Sequence, residues 1–109
     1  MAEREERIAR NEAAAREINE RLEGAQGERS RDEEIRMICE CGRETCDRVV
    51  AISIAEYEQV RSDAHRFVMV REHVIPDMER VVEETGRYVV AVKRDREAAE
   101  IALEEDPRS

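Results

Sequence analysis

Cys39-Glu40-Cys41-Gly42-Arg43-Glu44-Thr45-Cys46 gathers all three cysteines of a 109-residue chain into a C-x-C-x4-C array. Thiolates are soft donors that suit zinc, which closes its tetrahedron with a fourth Cys or His. Gly42 permits a tight turn by which backbone can wrap an ion. The first spacing is tighter than the usual C-x2-4-C, and the array reads as a zinc knuckle. Only His65 and His73 can supply an imidazole. His73 lies just past the predicted strand Arg66-Phe67-Val68-Met69-Val70-Arg71, in a loop from which it can reach back, and is the preferred fourth ligand. His65 sits in the polar turn Ser62-Asp63-Ala64-His65 and is the second choice. The metal site expected is therefore Cys39, Cys41, Cys46 and His73, with zinc as the ion.

Other readings of the same residues stay open. Free cysteines pack as small hydrophobes with no metal at all. An iron–sulfur cluster usually takes four cysteines. A redox pair at Cys39 and Cys41 would close a strained ring, and no C-x-x-C is present. Three thiolates with water or a carboxylate would also make a site.

On either side of the array lie short strand patterns. Ile35-Arg36-Met37-Ile38 leads in, and Asp47-Arg48-Val49-Val50-Ala51-Ile52, rich in β-branched residues, leads out. A helix over 54–62 follows, with Ser53 as N-cap, Glu56 completing a capping box, and Ile52 and Tyr57 placed for a hydrophobic staple. The run 78–85 suits either a short helix between Pro76 and Gly86 or a strand. The strand pattern Arg87-Tyr88-Val89-Val90-Ala91-Val92-Lys93 favours a hairpin. A last helix starts near Asp95, buries Ala98, Ile101 and Leu103, and stops before Asp106-Pro107.

N-terminal to all this, residues 2–23 read as a charged helix. Ile8, Ala15, Ile18 and Leu22 fall on one face, and Asn11 with Ile18 would be d positions of a short heptad pattern. The expectation is a surface helix docked on its own domain, with pairing to a second chain as the alternative. Gly24-Ala25-Gln26-Gly27-Glu28-Arg29-Ser30-Arg31-Asp32 reads as a linker. Residues 1–33 thus form helix plus linker, and residues 34–109 a small α+β domain of short antiparallel strands with two helices, stapled by zinc.

Composition narrows the task. Charged residues make up 43% of the chain and the net charge is −9. No basic face is evident, which argues against nucleic acid, whose binders neutralise phosphates. The same argument disfavours anionic membrane surfaces, and the longest apolar runs are too short to span a bilayer. The opening Met1-Ala2-Glu3-Arg4-Glu5-Glu6 is not a signal peptide. An odd cysteine count argues against a disulfide framework, and a cytoplasmic protein is expected. Of the 19 basic residues all but Lys93 are arginine, a skew that suggests a GC-rich bacterial genome. Aromatics are few, Phe67, Tyr57 and Tyr88. For so small a core, area gain minus ordering entropy comes out near zero. A structural zinc, worth an apparent ~10–16 kcal/mol, would decide folding.

Enzyme signatures are missing. There is no H-E-x-x-H, no zinc-deaminase pattern and no phosphate-cradling glycine loop. Glu72 beside His73 is the one adjacent carboxylate–imidazole pair.

Asn11-Glu12-Ala13, Arg16-Glu17-Ile18-Asn19-Glu20-Arg21, the cysteine array, Glu56-Tyr57-Glu58-Gln59-Val60-Arg61 and Glu105-Asp106-Pro107-Arg108 carry a resemblance. Over nearly its whole length the chain resembles a family of small, acidic, uncharacterised actinobacterial proteins with this array and a downstream histidine. The family pattern has Pro-Gly ahead of that histidine, where this chain has Arg71-Glu72. The resemblance implies the site and no particular activity. The function expected is a non-enzymatic, zinc-binding regulatory or adaptor module. Its partner would be another protein, met through the N-terminal helix or a sheet edge, with a homo-oligomer as a further option. A thiol-based metal or redox sensor is the alternative, and an enzyme with an open zinc position the next.

Overall fold

Two antiparallel sheets grow outward from the cysteine array. Strand β1 (Glu34–Ile38) pairs with β2 (Val49–Ser53), and strand order β3-β5-β4 builds the second sheet from β3 (Arg66–Met69), β4 (Glu79–Glu84) and β5 (Val89–Lys93). Three helices complete the computed structural model: α1 (Glu3–Gly24), α2 (Ile54–Arg61) and α3 (Arg96–Glu104). It describes residues 3–26 and 30–108. Ala2 at the expected helix start and Gly27, Glu28 and Arg29 of the expected linker lie outside the described residues. The architecture is the α+β one that the patterning predicts.

Period-2 alternation forms β1, with Ile35 and Met37 buried and their neighbours turned outward. The start of α2 is fixed by its capping box: Ser53 Oγ accepts from Glu56 N–H, and Glu56 Oε1 accepts from Ser53 N–H. Ile52 and Tyr57, expected to staple that start, are both fully buried. The ambiguous 78–85 run is strand. β4 pairs with β5 as the hairpin reading predicts, with a bulge between Val81 and Glu83. One core runs through both sheets, joining Met37, Val50, Ile52, Tyr57, Phe67, Val68, Met69 and Val90.

α1 lies along α3 and β1, but of the stripe that periodicity singles out only Ile8 is buried, with Ala15 and Leu22 half-buried. Ile18 is 45% exposed, and the face turned inward is Ile8, Ala9, Glu12, Ala13, Arg16 and Asn19. Half of that face is polar, and each polar member meets a buried partner. Arg16 donates to the carbonyls of Ala64 and Ala102 and lies over the Phe67 ring, 4.4 Å from its centroid. Lys93, the sole lysine of the chain, donates to Glu12 Oε1 at 2.6 Å and Glu79 Oε2 at 3.1 Å. Burial, followed by the neighbouring Glu79, pushes Glu12 well up against the pull of Lys93. Leu103, expected in the core, is 50% exposed. α3 buries Ala98, Ile101 and Ala102 instead, because those positions face α1 and β5 one helical turn apart.

Candidate metal centre

Two residues apart in an extended segment, side chains share a face. Cys39 and Cys41 use this: they leave the end of β1 pointing the same way, with Glu40 between them pointing the other. The C-x-C spacing, too short for the usual loop, is right for a strand. The segment also crosses between the sheets. Cys39 N–H donates to Arg48 O beside β2 at 3.0 Å, and Glu40 N–H donates to Val68 O on β3 at 2.7 Å. Cys46 arrives from the loop back to β2, and His73 from a one-turn 3₁₀ helix, Arg71–His73, after β3. The four residues thus come from both sides of the seam.

The ligand atoms of Cys39, Cys41, Cys46 and His73 all lie within 4.8 Å of one another. His73 Nδ1 stands 3.7, 3.4 and 3.3 Å from the sulfurs of Cys39, Cys41 and Cys46. Zinc–sulfur bonds of about 2.3 Å and a zinc–nitrogen bond of about 2.0–2.1 Å, at tetrahedral angles, set sulfur and nitrogen about 3.5 Å apart. The cluster has the size of one coordination tetrahedron, and these four residues can hold a metal ion.

Each sulfur also has a backbone donor. Val70 N–H points at Cys39 Sγ at 3.3 Å. The amides of Arg43 and Arg48, each two residues beyond its cysteine, serve Cys41 and Cys46. Such dipoles stabilise thiolate charge. Among the thiols themselves, Cys41 is pulled down to about 5, first by the hydrogen bond it accepts from Cys39. That same bond, together with burial, pushes Cys39 up, and burial pushes Cys46 up. Crowding and burial oppose ionisation of all three sulfurs at once; a divalent cation in their midst would let all three ionise.

His65, the second choice, stays out of the cluster. Its Nδ1 lies 3.0 Å from Asp63 Oδ1 within its own turn, and its side chain is 44% exposed. Gly42, at a bend as expected, has a further role. Its φ is not left-handed; a Cβ there would fall 2.2 Å from Ile8 Cγ2 and 2.8 Å from the Ile8 carbonyl oxygen. The glycine is required by the close approach of α1.

Glu40 is the residue sequence reasoning missed. It is fully buried. Val68 N–H donates to Oε1 at 3.0 Å, while Tyr57 Oη and Asn19 Nδ2 donate to Oε2 at 2.7 and 2.9 Å. Burial pushes its carboxyl up against the pull of those three donors. The period-2 rule applied to C-x-C would have placed it opposite the sulfurs, facing the protein. Above the sulfurs lies a cleft of about 290 Å³, lined by Ala14, Ala15 and Ile18 of α1, with Ile38, Arg43 and the three cysteines.

The chain matches no protein-family model, no curated protein and no solved structure. Its function is read from its own residues.

Proposed function

We propose that the protein is a zinc-binding, non-enzymatic interaction module of the regulatory or adaptor kind, in which the metal is structural. The observation that carries this reading is the four-ligand cluster itself. Three thiols and an imidazole fill a tetrahedron, leaving no position for substrate water, and catalytic zinc keeps one open. The ligands come from both sheets, so an ion among them ties the two together. Sulfur-rich ligation favours zinc over magnesium or calcium, which take oxygen.

An adaptor needs a surface for its partner. Two are available: the cleft beside Ile18, and the outer edge of β4, where Val81 and Val82 are each 36% exposed. Unpaired edges and exposed apolar groups are what partner chains engage. Among the described residues no helix is long and apolar enough to cross a membrane, in keeping with a protein partner.

Elemental analysis of protein purified without chelator tests the metal: one zinc per chain is expected, and loss of zinc in Cys41→Ser. Affinity capture with wild type, Ile18→Asp and Val82→Lys as baits tests the adaptor role. A partner lost from one variant and kept by the other supports it; identical captures, or metal-dependent turnover of a small molecule, would overturn it.

A further inference from the structure

The segment that carries two of the four ligands has a second face, and α1 holds it. Odd-numbered Cys39 and Cys41 present sulfur to the metal centre. At the even-numbered positions, 38, 40 and 42, α1 takes hold in turn. Asn19 brackets Ile38 as a neighbouring strand would, donating from Nδ2 to the carbonyl at 2.8 Å and accepting the amide on Oδ1 at 2.8 Å. The same Nδ2 donates to Glu40 Oε2 at 2.9 Å. Asn11 Nδ2 donates to the Gly42 carbonyl at 3.1 Å, and Ile8 lies on the bare Cα of Gly42.

Resting on the zinc reading above, we infer that α1 is the regulatory element of the metal centre: docking of α1 and filling of the site are coupled through residues 38–42. With α1 docked, the chelating strand is held straight, both sulfurs point one way, and zinc meets a preformed pair. With α1 released, Ile38 and Glu40 lose Asn19, Gly42 loses Asn11, and the pair loses its alignment. Coupling between two equilibria is reciprocal, so zinc must tighten α1 by the factor by which α1 tightens zinc. Release of α1 would expose a half-polar face. That face carries Glu12, Arg16 and Asn19, which water can receive. A partner that captures α1 would thereby weaken the site, and metal loss would offer α1 to a partner.

Zinc affinity, read by competition with a chromophoric chelator, tests this on the full chain. Residues that orient ligands from outside typically contribute about 10–100-fold in affinity. Asn19→Ala and the milder Asn11→Ala are each expected to weaken zinc at least tenfold while still binding one ion per chain. Val90→Ala, a core truncation in β5 that removes none of the hydrogen bonds from α1 to the segment, should leave affinity within about twofold when compared with a variant of equal thermal stability. Hydrogen exchange supplies the reciprocal arm: adding zinc should slow exchange of α1 amides by a similar factor, and the slowing should vanish in Asn19→Ala. If the wild type takes up no zinc, the metal reading falls and this inference with it. If the wild type binds zinc and both asparagine variants bind it equally well, or Val90→Ala weakens it as much as they do, the coupling alone is overturned.

Discussion

Gly42 and Glu40 flank Cys41, and each marks a point where the chain tolerates one residue only. A methyl group on Gly42 would collide with the backbone of Ile8, an atom that cannot swing aside. Gly42→Ala should therefore destabilise the fold by ~1–3 kcal/mol, the usual range for overpacking, as seen in urea unfolding. Gly24, at the end of α1, has nothing within 4 Å of its missing Cβ. Gly24→Ala should leave stability unchanged or raise it by up to ~1 kcal/mol, since alanine is the better helix former. Equal losses at the two glycines would contradict the account. Glu40→Gln keeps shape but turns one acceptor into a donor facing donors. With Val68 N–H, Tyr57 Oη and Asn19 Nδ2 all pointing in, the expected loss is ~1–3 kcal/mol.

Among the elements, those whose reasons are local were legible in the sequence. Ser53 and Glu56 announce the start of α2, and the β-branched runs of β2 and β5 announce strands. The hairpin joining β4 to β5 follows from the same reasoning. α1 shows where such reading stops. Its helical character is plain, but periodicity looks for apolar residues, and half of its docked face is Glu12, Arg16 and Asn19. Their partners are the carbonyls of Ala64 and Ala102, Lys93 and the Ile38 backbone, up to 86 residues away. No window of sequence contains them. One clue was on view: the chain's single lysine, in a background of arginine, stands at the buried position where a compact ammonium fits between two carboxylates. The cysteines and His73 were legible as a candidate cluster because thiol and imidazole are recognisable donors wherever they stand in the chain.

Glu56 ties α2 to the β4–β5 turn and gives this scale its test. Arg87 forks onto both of its oxygens, at 3.0 and 2.6 Å, and Ser53 N–H and Tyr88 Oη add two more donors. The Arg87 guanidinium, foremost among these, holds its carboxyl down to about 2 from 4.5. A depressed carboxylate contributes stability above its unfolded value and loses it as pH falls through the folded one. The wild type should therefore weaken between about pH 4.5 and pH 2 by more than Glu56→Gln does, in thermal midpoints measured across that range. Parallel curves would show that the fork contributes nothing.

At the scale of the whole molecule, two polar clamps fasten what the modest core leaves loose. One is the Glu12–Lys93–Glu79 triad joining α1 to β4 and β5, with all three side chains 1% exposed. Lys93→Met leaves two carboxyl groups facing each other with no cation, and removal of one partner from a buried ion pair costs about 3–5 kcal/mol. Urea unfolding should show that loss, and a change under 1 kcal/mol would mean the triad is incidental.

The other clamp, on the function proposed above, is the cysteine–histidine cluster at the seam between the sheets once it holds an ion. Titration with cobalt(II), followed by visible absorption, tests it most directly, because a tetrahedral thiolate site gives intense bands that oxygen ligation does not. The wild type and His65→Ala should each bind one ion with the same spectrum, displaced by zinc, and His73→Ala should bind far more weakly with an altered spectrum. An absence of thiolate bands in the wild type, or a His73→Ala protein indistinguishable from it, would contradict the account.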